Sequence, residues 1–260
     1  MRGHVPTPAP GGPPAPPAAI LEANLRAVRG AVEAAARRSG RDPRSITILA
    51  ATKSVAAAVL PLLPPLGVRD FGENRVQEAA AKVRALSDLG ARWHMIGRLQ
   101  TNKVRRALDH FHRFHSVDRD AVLLALAEEA ARRGGIVDCL IQVNVSGEPT
   151  KGGYAPGEAE AALRRARSLP SLRVTGLMAI PSPASGGGGR AAFRALRELR
   201  DGLRSSEGDL ADLSMGMSGD FEEAVEEGAT ILRLGSALFR GLPPELHGRA
   251  PGAAGGGEAA

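Results

Sequence analysis

The sequence contains little of several things that restrict what the protein can be. Its 260 residues include one cysteine, Cys139, and aromatic residues make up only 3% of the chain. A single cysteine cannot form an internal disulfide, so we expect a reducing compartment, the cytoplasm. Cys139 lies in the apolar run VDCLIQVNV, which predicts a buried, unreactive thiol. With so few aromatic rings, a base-stacking surface for nucleic acid is not expected.

Long apolar segments are also missing. No stretch approaches the roughly 18–20 unbroken apolar residues that cross a membrane, so we expect no membrane partner. The N-terminus lacks the apolar core of a secretory signal. The terminal segments 1–17 and 243–260 are rich in Pro, Ala and Gly and are predicted to be disordered. The predicted folded domain is therefore residues 18–242.

The net charge of +6 raises nucleic acid as a partner. The basic residues are nevertheless spread along predicted helices, and the densest group alternates with Glu198 and Asp201. That group consists of Arg190, Arg194, Arg197, Arg200 and Arg204. Mixed charges at helical spacing are typical of a solvated helix face. We therefore predict that the protein has no nucleic-acid partner.

What the sequence does contain is a repeated unit, a short apolar run followed by an amphipathic segment. The apolar runs begin near residues 45, 68, 92, 111, 137, 172, 212 and 230. The segments with helical spacing are 54–64, 75–89, 101–109, 119–134, 156–169, 190–206 and 220–228, with an extra helix at about 19–38. Strands that alternate with helices imply parallel βαβ units, and eight of them predict a closed (β/α)8 TIM-type barrel. The rival is an open doubly wound sheet, which often carries GxGxxG after its first strand, where this chain has TKSVAAAV.

The barrel predicts where the chemistry lies, because such sites form at the C-terminal strand ends and phosphates often bind after strands 7 and 8. Lys53 ends strand 1 and follows three small residues, Ala50, Ala51 and Thr52. Its amine could be a solvated charge, an ion-pair partner or a Schiff-base amine. The loops MGMSGD and RLGSALFR, with Ser218, Gly235 and Ser236, follow strands 7 and 8 and offer backbone N–H groups and hydroxyls to an anion. Arg233 shares the side-chain parity of Gly235, and once buried it needs a partner such as a ring nitrogen or a carboxylate.

A reactive amine, a phosphate cradle and an arginine between them describe one ligand, pyridoxal 5′-phosphate (PLP). Its aldehyde would lie on Lys53, its phosphate at the two glycine–serine loops, and its pyridine nitrogen at Arg233. The histidines of HFHRFH, residues 110–115, are not predicted to bind a metal. His112 and His115 have opposite strand parity and cannot converge easily.

Several blocks of the sequence resemble the PLP-binding homeostasis proteins, also called the alanine-racemase N-terminal-domain-like family. The blocks are ATKSV, FGENRVQEAAAK, WHMIGRLQTNK, HSVDR, GLMAIPSP and LSMGMSGDFEEAVEEGATILRLGSALF, with a looser VNVSGEPTKGGY. They run from about residue 46 to 240 and cover the predicted barrel. The resemblance implies a single-domain barrel whose PLP-binding residues are Lys53, Asn74, His94, Ser218, Arg233, Gly235 and Ser236.

The resemblance leaves a choice between a carrier and an enzyme. Similar barrels in alanine racemase are followed by a β-domain that brings a catalytic tyrosine, and racemisation uses that tyrosine and the lysine as two bases. Only about 20 Gly/Pro-rich residues follow strand 8 here, so we expect no such domain. The one tyrosine, Tyr154, follows strand 5 and is the candidate substitute. An arginine at the pyridine nitrogen also weakens the electron sink that carbanion chemistry needs.

Three hypotheses follow. The first is a monomeric PLP-binding protein that holds, buffers and delivers the cofactor to apo-enzymes through a lysine Schiff base, without robust catalysis. The alternative is a single-domain PLP-dependent amino-acid racemase with Lys53 and Tyr154 as catalytic residues. The third is an aldolase for a phosphorylated sugar, which would use the same lysine and phosphate cradle without PLP.

Overall fold

Eight parallel strands form a closed barrel in which each strand pairs with the next in the chain and the last pairs with the first. The computed structural model describes residues 15–148, 150–181, 189–207 and 209–248. The strands are β1 (Thr47–Ala51), β2 (Asp70–Glu73), β3 (Arg92–Met95), β4 (Arg113–Val117), β5 (Val137–Gln142), β6 (Leu172–Met178), β7 (Asp212–Ser214) and β8 (Ile231–Leu234). The predicted TIM-type (β/α)8 barrel is confirmed.

Helices surround the barrel. They are α1 (Pro17–Arg38), α2 (Val76–Ala85), α3 (Val104–Ala107), α4 (Asp120–Arg132), α5 (Ala159–Arg167), α6 (Arg190–Glu207), α7 (Phe221–Glu226) and α8 (Ser236–Phe239). The extra helix α1 packs against α7 and α8, so it covers the outer wall near the closure of β8 onto β1. Within the described ranges, none of the helices combines the length and the apolar character needed to cross a membrane.

The connection from β1 to β2 differs from the prediction. The segment 54–64, predicted as a helix, forms two short 3-10 helices, Ala57–Leu62 and Pro64–Leu66. Pro61 and the two prolines that open the second turn lack the N–H that an α-helix interior needs. Apolar spacing therefore predicted where the chain is buried but not which helix it forms.

Apolar side chains pack in two separate places. The large core lies between the strands and the helices and includes Phe71, Phe114 and Phe193, each with at most 1% of its surface exposed. A second cluster consists of only four residues, Leu49, Ala51, Ile96 and Ile231. Barrels of this type usually fill their interior with branched apolar residues. Here buried polar side chains, among them His94, His115 and Arg233, also lie inside the barrel.

Most of the two predicted tails, 1–17 and 243–260, lies outside the described residues. Residues 1–14 and 249–260 lie outside the described part of the structure, and α1 begins with Pro17 in its first turn. Residues 243–248 add a 3-10 turn, Pro244–Leu246, and an antiparallel bridge between Val55 and His247. The described residues thus end beside the loop that follows β1.

The arginine-rich face of α6 is paired with acidic residues at the C-terminal end of α7, Glu226 and the following Glu227. Arg194 donates to Glu227 over 3.0 Å, and Arg190 contacts both Glu226 and Glu227. Arg197 lies 3.5 Å from the same Glu227 carboxylate. These cations therefore join two neighbouring helices of the outer layer.

Candidate functional site

A cavity of about 690 Å³ opens at the C-terminal ends of the strands. Loops from both sides of the barrel closure contribute to its wall, because β1 and β8 are neighbours. Six of the predicted cofactor-binding residues line it, namely Lys53, Asn74, Ser218, Arg233, Gly235 and Ser236. The structure thus brings together in one place residues that are up to 183 positions apart.

Lys53 lies in the short turn Thr52–Ser54 that ends β1, with its side chain exposed to the cavity. Among the described residues, none makes a hydrogen bond or ion pair with its amine. The backbone beneath it is held by a buried polar cluster. Lys82 Nζ donates to the Thr52 carbonyl over 2.6 Å and to Glu73 Oε1 over 2.7 Å, and the Thr52 hydroxyl donates to the same carboxylate. The lysine is therefore available while its attachment point is fixed.

The loops after β7 and β8 bring backbone N–H groups and hydroxyl side chains together at the cavity. Ser218 Oγ accepts hydrogen bonds from the backbone N–H groups of Gly235, over 3.3 Å, and Ala237, over 3.0 Å. The hydroxyl of Ser236 lies beside them in the cavity wall. Both N–H groups converge on the single oxygen of Ser218, and two N–H groups that converge in this way beside two hydroxyls are of the kind that binds phosphate oxygens.

Arg233 lies between these loops and the barrel interior, with 5% of its surface exposed. Its Nη1 donates to Ser214 Oγ over 2.8 Å, and its Nη2 donates to the carbonyl of Ala179 over 3.0 Å. Burial lowers the pKa of Arg233 to about 10, so the guanidinium stays charged at neutral pH. A cation that only donates hydrogen bonds therefore borders the cavity floor.

The other two predicted residues differ in depth. Asn74 reaches the cavity wall, where Gly97 packs so closely that an added Cβ would lie 2.5 Å from the Asn74 carbonyl oxygen. His94 lies deeper in the barrel, with Nε2 2.9 Å from Asp70 Oδ1 and Nδ1 3.0 Å from His115 Nε2. Its expected place near the cofactor stays a prediction, and any influence on a ligand passes through its neighbours.

Tyr154 is held away from the cavity. Its hydroxyl donates to Asp120 Oδ1 of α4 over 2.9 Å, and Asp120 also pairs with Arg165 of α5. The ring belongs to the large apolar core, and burial together with the Asp120 contact raises the pKa of Tyr154 above its ordinary value. The phenol that the racemase alternative needs as a second base is therefore hydrogen-bonded to Asp120 and does not line the cavity.

Sequence reasoning missed several residues of the same cavity wall. They include Arg98, whose Nε lies 3.3 Å from Asp118 Oδ2, and the side chains of Gln142, Asn144 and Lys151. A signal was present, since all of them lie at or just after the ends of β3, β4 and β5, where the barrel rule places functional groups. Among the described residues, no group of three or more His, Cys, Asp or Glu is arranged to hold a metal ion.

The fold and the residues at its mouth define a class, the barrel found as the N-terminal domain of alanine racemase. The family described as "Alanine racemase, N-terminal domain" matches residues 21–243. Within this class, the chain belongs to the pyridoxal phosphate homeostasis protein family. The protein of that name from Pseudomonas aeruginosa is 44% identical over 217 residues, which cover 83% of this chain and 93% of the relative. The Escherichia coli K12 protein of that name is 38% identical over 222 residues, covering 83% and 94%.

Solved structures agree with this assignment. PipY of Synechococcus elongatus, solved with PLP bound, superposes with a TM-score of 0.74 at 34% identity and covers 84% of this chain and 99% of its own. A lysine decarboxylase of Selenomonas ruminantium superposes with a TM-score of 0.61 at 17% identity, which shows the shared barrel fold alone. The family resemblance found in the sequence is confirmed.

Proposed function

We propose that this protein binds PLP and acts in PLP homeostasis by holding, buffering and delivering the cofactor. The observation that carries the proposal is one cavity that contains a lysine amine, an anion surface of two backbone amides and two hydroxyls, and a buried arginine. These groups match the aldehyde, phosphate and ring nitrogen of PLP. The PLP-bound relative PipY supports the same assignment.

Each residue has a defined part in this proposal. Lys53 would hold the aldehyde covalently, and Ser218, Gly235 and Ser236 would bind the phosphate. Arg233 would donate to the pyridine nitrogen and, because a guanidinium has no acceptor, would require that nitrogen to be unprotonated. Bound PLP supplies an electrophilic carbonyl and an electron sink, and an unprotonated ring is the weaker sink. The residues therefore favour retention of the cofactor over carbanion chemistry.

The racemase alternative is not favoured. Proton exchange on both faces of a substrate needs a second base besides the lysine, and the hydroxyl of Tyr154 is bound to Asp120. We expect no amino-acid racemisation above background by the PLP-loaded protein. Turnover that is lost in Tyr154→Phe would instead support the racemase.

The first experiment is the visible absorption spectrum of the protein with added PLP, before and after borohydride. We expect a visible imine band in the wild type that Lys53→Ala lacks. Borohydride should remove this band and leave the pyridoxyl group covalently attached to the protein. The matched control is Lys151→Ala, which removes another amine from the same cavity wall and should keep the band. A protein that gains no imine band with added PLP would contradict the proposal and leave the sugar-phosphate aldolase. A band that survives in Lys53→Ala would contradict the lysine assignment.

The finer parts of the proposal concern partners and location. We propose that the protein is a cytoplasmic monomer that hands PLP to apo-enzymes. The test incubates the PLP-loaded protein with an apo PLP-dependent enzyme and compares the recovery of activity with that given by free PLP, with a PLP-trapping agent present. Recovery despite the trap supports direct transfer, and recovery that the trap abolishes contradicts it. Sedimentation equilibrium gives the molar mass in solution and so tests whether the protein is a monomer.

A further inference from the structure

A chain of hydrogen bonds runs through the barrel interior from the cavity floor to the opposite end. Arg233 Nη1 lies 2.8 Å from Ser214 Oγ, which lies 2.8 Å from His115 Nδ1. His115 Nε2 lies 3.0 Å from His94 Nδ1, and His94 Nε2 lies 2.9 Å from Asp70 Oδ1. All five residues are buried and come from five strands, so the chain crosses the barrel.

The two residues at the ends of this row of hydrogen bonds, Arg233 and Asp70, have fixed roles as donor and acceptor. The Arg233 guanidinium can only donate hydrogen bonds. Asp70 is ionised, because hydrogen bonds from His94 and Arg92 outweigh the opposing effect of burial and hold its pKa at about 2. Arg92 binds this carboxylate through both Nε, over 2.8 Å, and Nη2, over 2.6 Å. The Asp70 end therefore only accepts.

The ends determine every link between them. Since Asp70 only accepts, His94 Nε2 must carry a proton, and Nδ1 of a neutral His94 then accepts. His115 Nε2 must supply that hydrogen, which leaves its Nδ1 as the acceptor of the Ser214 hydroxyl proton. The hydroxyl oxygen in turn accepts from Arg233. Each link has one donor and one acceptor, provided that both imidazoles are neutral with the proton on Nε2.

The surroundings favour the neutral forms. Burial lowers the pKa of His94 and lowers that of His115 well below its ordinary value. The charged groups that act on the two rings are Asp70 of β2, Arg92 of β3, Arg113 of β4 and Arg233 of β8. Asp70 alone favours a cationic ring, and it faces His94 only. Three arginines and the loss of solvation oppose it.

We propose that Ser214, His115 and His94 are positioning residues that hold Arg233 as a fixed, donor-only cation at the cavity floor. Every link points away from the cavity, and the first donor is a guanidinium, which does not release its proton at neutral pH. The chain therefore anchors Arg233 and does not deliver protons to a ligand. That Arg233 acts on a pyridine nitrogen rests on the proposed function, whereas the direction of the chain does not.

Protonation of His94 would reverse this arrangement. A hydrogen on His94 Nδ1 would need His115 Nε2 as its acceptor and would move the His115 proton to Nδ1. Ser214 Oγ would then accept hydrogen bonds from both Arg233 and His115, and its own hydroxyl hydrogen would have to turn to an acceptor outside this row of residues. The contact with Arg233 is therefore coupled to the charge of a histidine on the far side of the barrel.

The direction of the chain can be tested without a ligand. Nitrogen-15 NMR of the histidine rings reports which ring nitrogen carries a proton, and His94→Gln and His115→Gln assign the signals. At pH 7 we expect both rings to be neutral with the proton on Nε2. A proton on Nδ1 of either ring, or a cationic ring, would overturn the proposed direction.

The effect on Arg233 is tested with Ser214→Ala. Loss of the hydroxyl removes one hydrogen bond to a charged group, so we expect PLP to bind about tenfold more weakly and the spectrum of bound PLP to shift. The matched control is Ser171→Ala, which removes another buried serine hydroxyl, bound to the Ala127 carbonyl over 2.8 Å in the outer layer. It should bind PLP as the wild type does and give the same spectrum.

The outcomes separate the two proposals. If the wild type does not bind PLP, the proposed function fails, and the NMR result still decides the direction of the chain. If the wild type binds and Ser214→Ala shows the same affinity and spectrum, the positioning role is wrong. If Ser214→Ala does not fold, His115→Gln is titrated in its place, and an unchanged affinity and spectrum would again contradict the role.

Discussion

Two lysines near the end of β1 show how neighbours decide what a residue can do. Lys53 is exposed to the cavity, whereas the side chain of Lys82 is only 13% exposed and binds Glu73, which is fully buried. One carboxylate oxygen of Glu73 has no partner among the described residues. The carboxylate therefore depends on Lys82 for its charge compensation, and the Thr52 carbonyl that Lys82 also binds immediately precedes Lys53.

We expect Lys82→Met to destabilise the protein by about 3–5 kcal/mol, because it leaves Glu73 buried without a counter-ion. Adding Glu73→Gln to this variant should recover part of the loss. Urea denaturation measures the free energy of unfolding of each variant, with Lys53→Met as the matched control. That control should change stability by less than about 0.5 kcal/mol. A loss of under about 1 kcal/mol in Lys82→Met would show that the pair contributes little.

At the level of single residues, sequence reasoning predicted the mouth of the barrel better than its interior. Lys53, Arg233 and Ser218 could be grouped because each lies at or after a strand end, and a barrel brings those ends together. The interior chain could not be predicted in this way. Whether His94 meets His115, and His115 meets Ser214, depends on strand register and tilt, which sequence spacing does not determine.

At the level of elements, the eight strands could be predicted because each is a short apolar run between turn residues. Helix type was less predictable. The segment 101–109 begins with a 3-10 turn at Thr101–Lys103 and has only four residues of α-helix, Val104–Ala107. The spacing of apolar residues indicates which face of a segment is buried. The helix type of a short connection depends instead on where the barrel places the next strand.

The loops after β2 and β3 approach each other so closely that adding a single methyl group at Gly97 should force them apart. In Gly97→Ala the added Cβ would meet the Asn74 backbone at 2.5 Å, so we expect the Asn74 loop to move. We expect PLP to bind at least about tenfold more weakly and the protein to lose about 1–3 kcal/mol of stability, the usual cost of overpacking. Spectroscopic titration and urea denaturation measure the two effects.

The matched control for that substitution is Gly30→Ala in the middle of α1. An added Cβ at this exposed position has no atom within 4 Å, and alanine is the better helix former. We expect a gain of about 0.5–1 kcal/mol and unchanged PLP binding. Unchanged binding in Gly97→Ala as well would mean that the Asn74 loop does not shape the site.

Across the whole molecule, apolar and polar packing are separated by the sheet. The outer layer between strands and helices is apolar and is bordered by ion pairs such as those of α6 and α7. The barrel interior holds two buried histidines, an arginine and an aspartate. Folding therefore transfers titratable groups from water to the centre of the protein, which links stability to pH.

We expect the free energy of unfolding to fall as the pH drops below about 6.5, the ordinary pKa of an exposed histidine. The pKa values of His94 and His115 are lowered in the folded protein, so below pH 6.5 the unfolded chain binds protons that the folded protein does not. Stability is thus present in full above that pH and is lost below it, by up to about 1.4 kcal/mol per pH unit for each histidine. Urea denaturation between pH 7.5 and 5.5 isolates this effect, because carboxylates such as Asp70, with a pKa of about 2, lose their contribution only in stronger acid.

His115→Gln should reduce the slope of stability against pH by about half. His110→Gln, which lies outside the row of interior hydrogen bonds, should not change that slope. A flat profile in the wild type would mean that the two histidines are not held in the neutral form on which the anchoring of Arg233 depends.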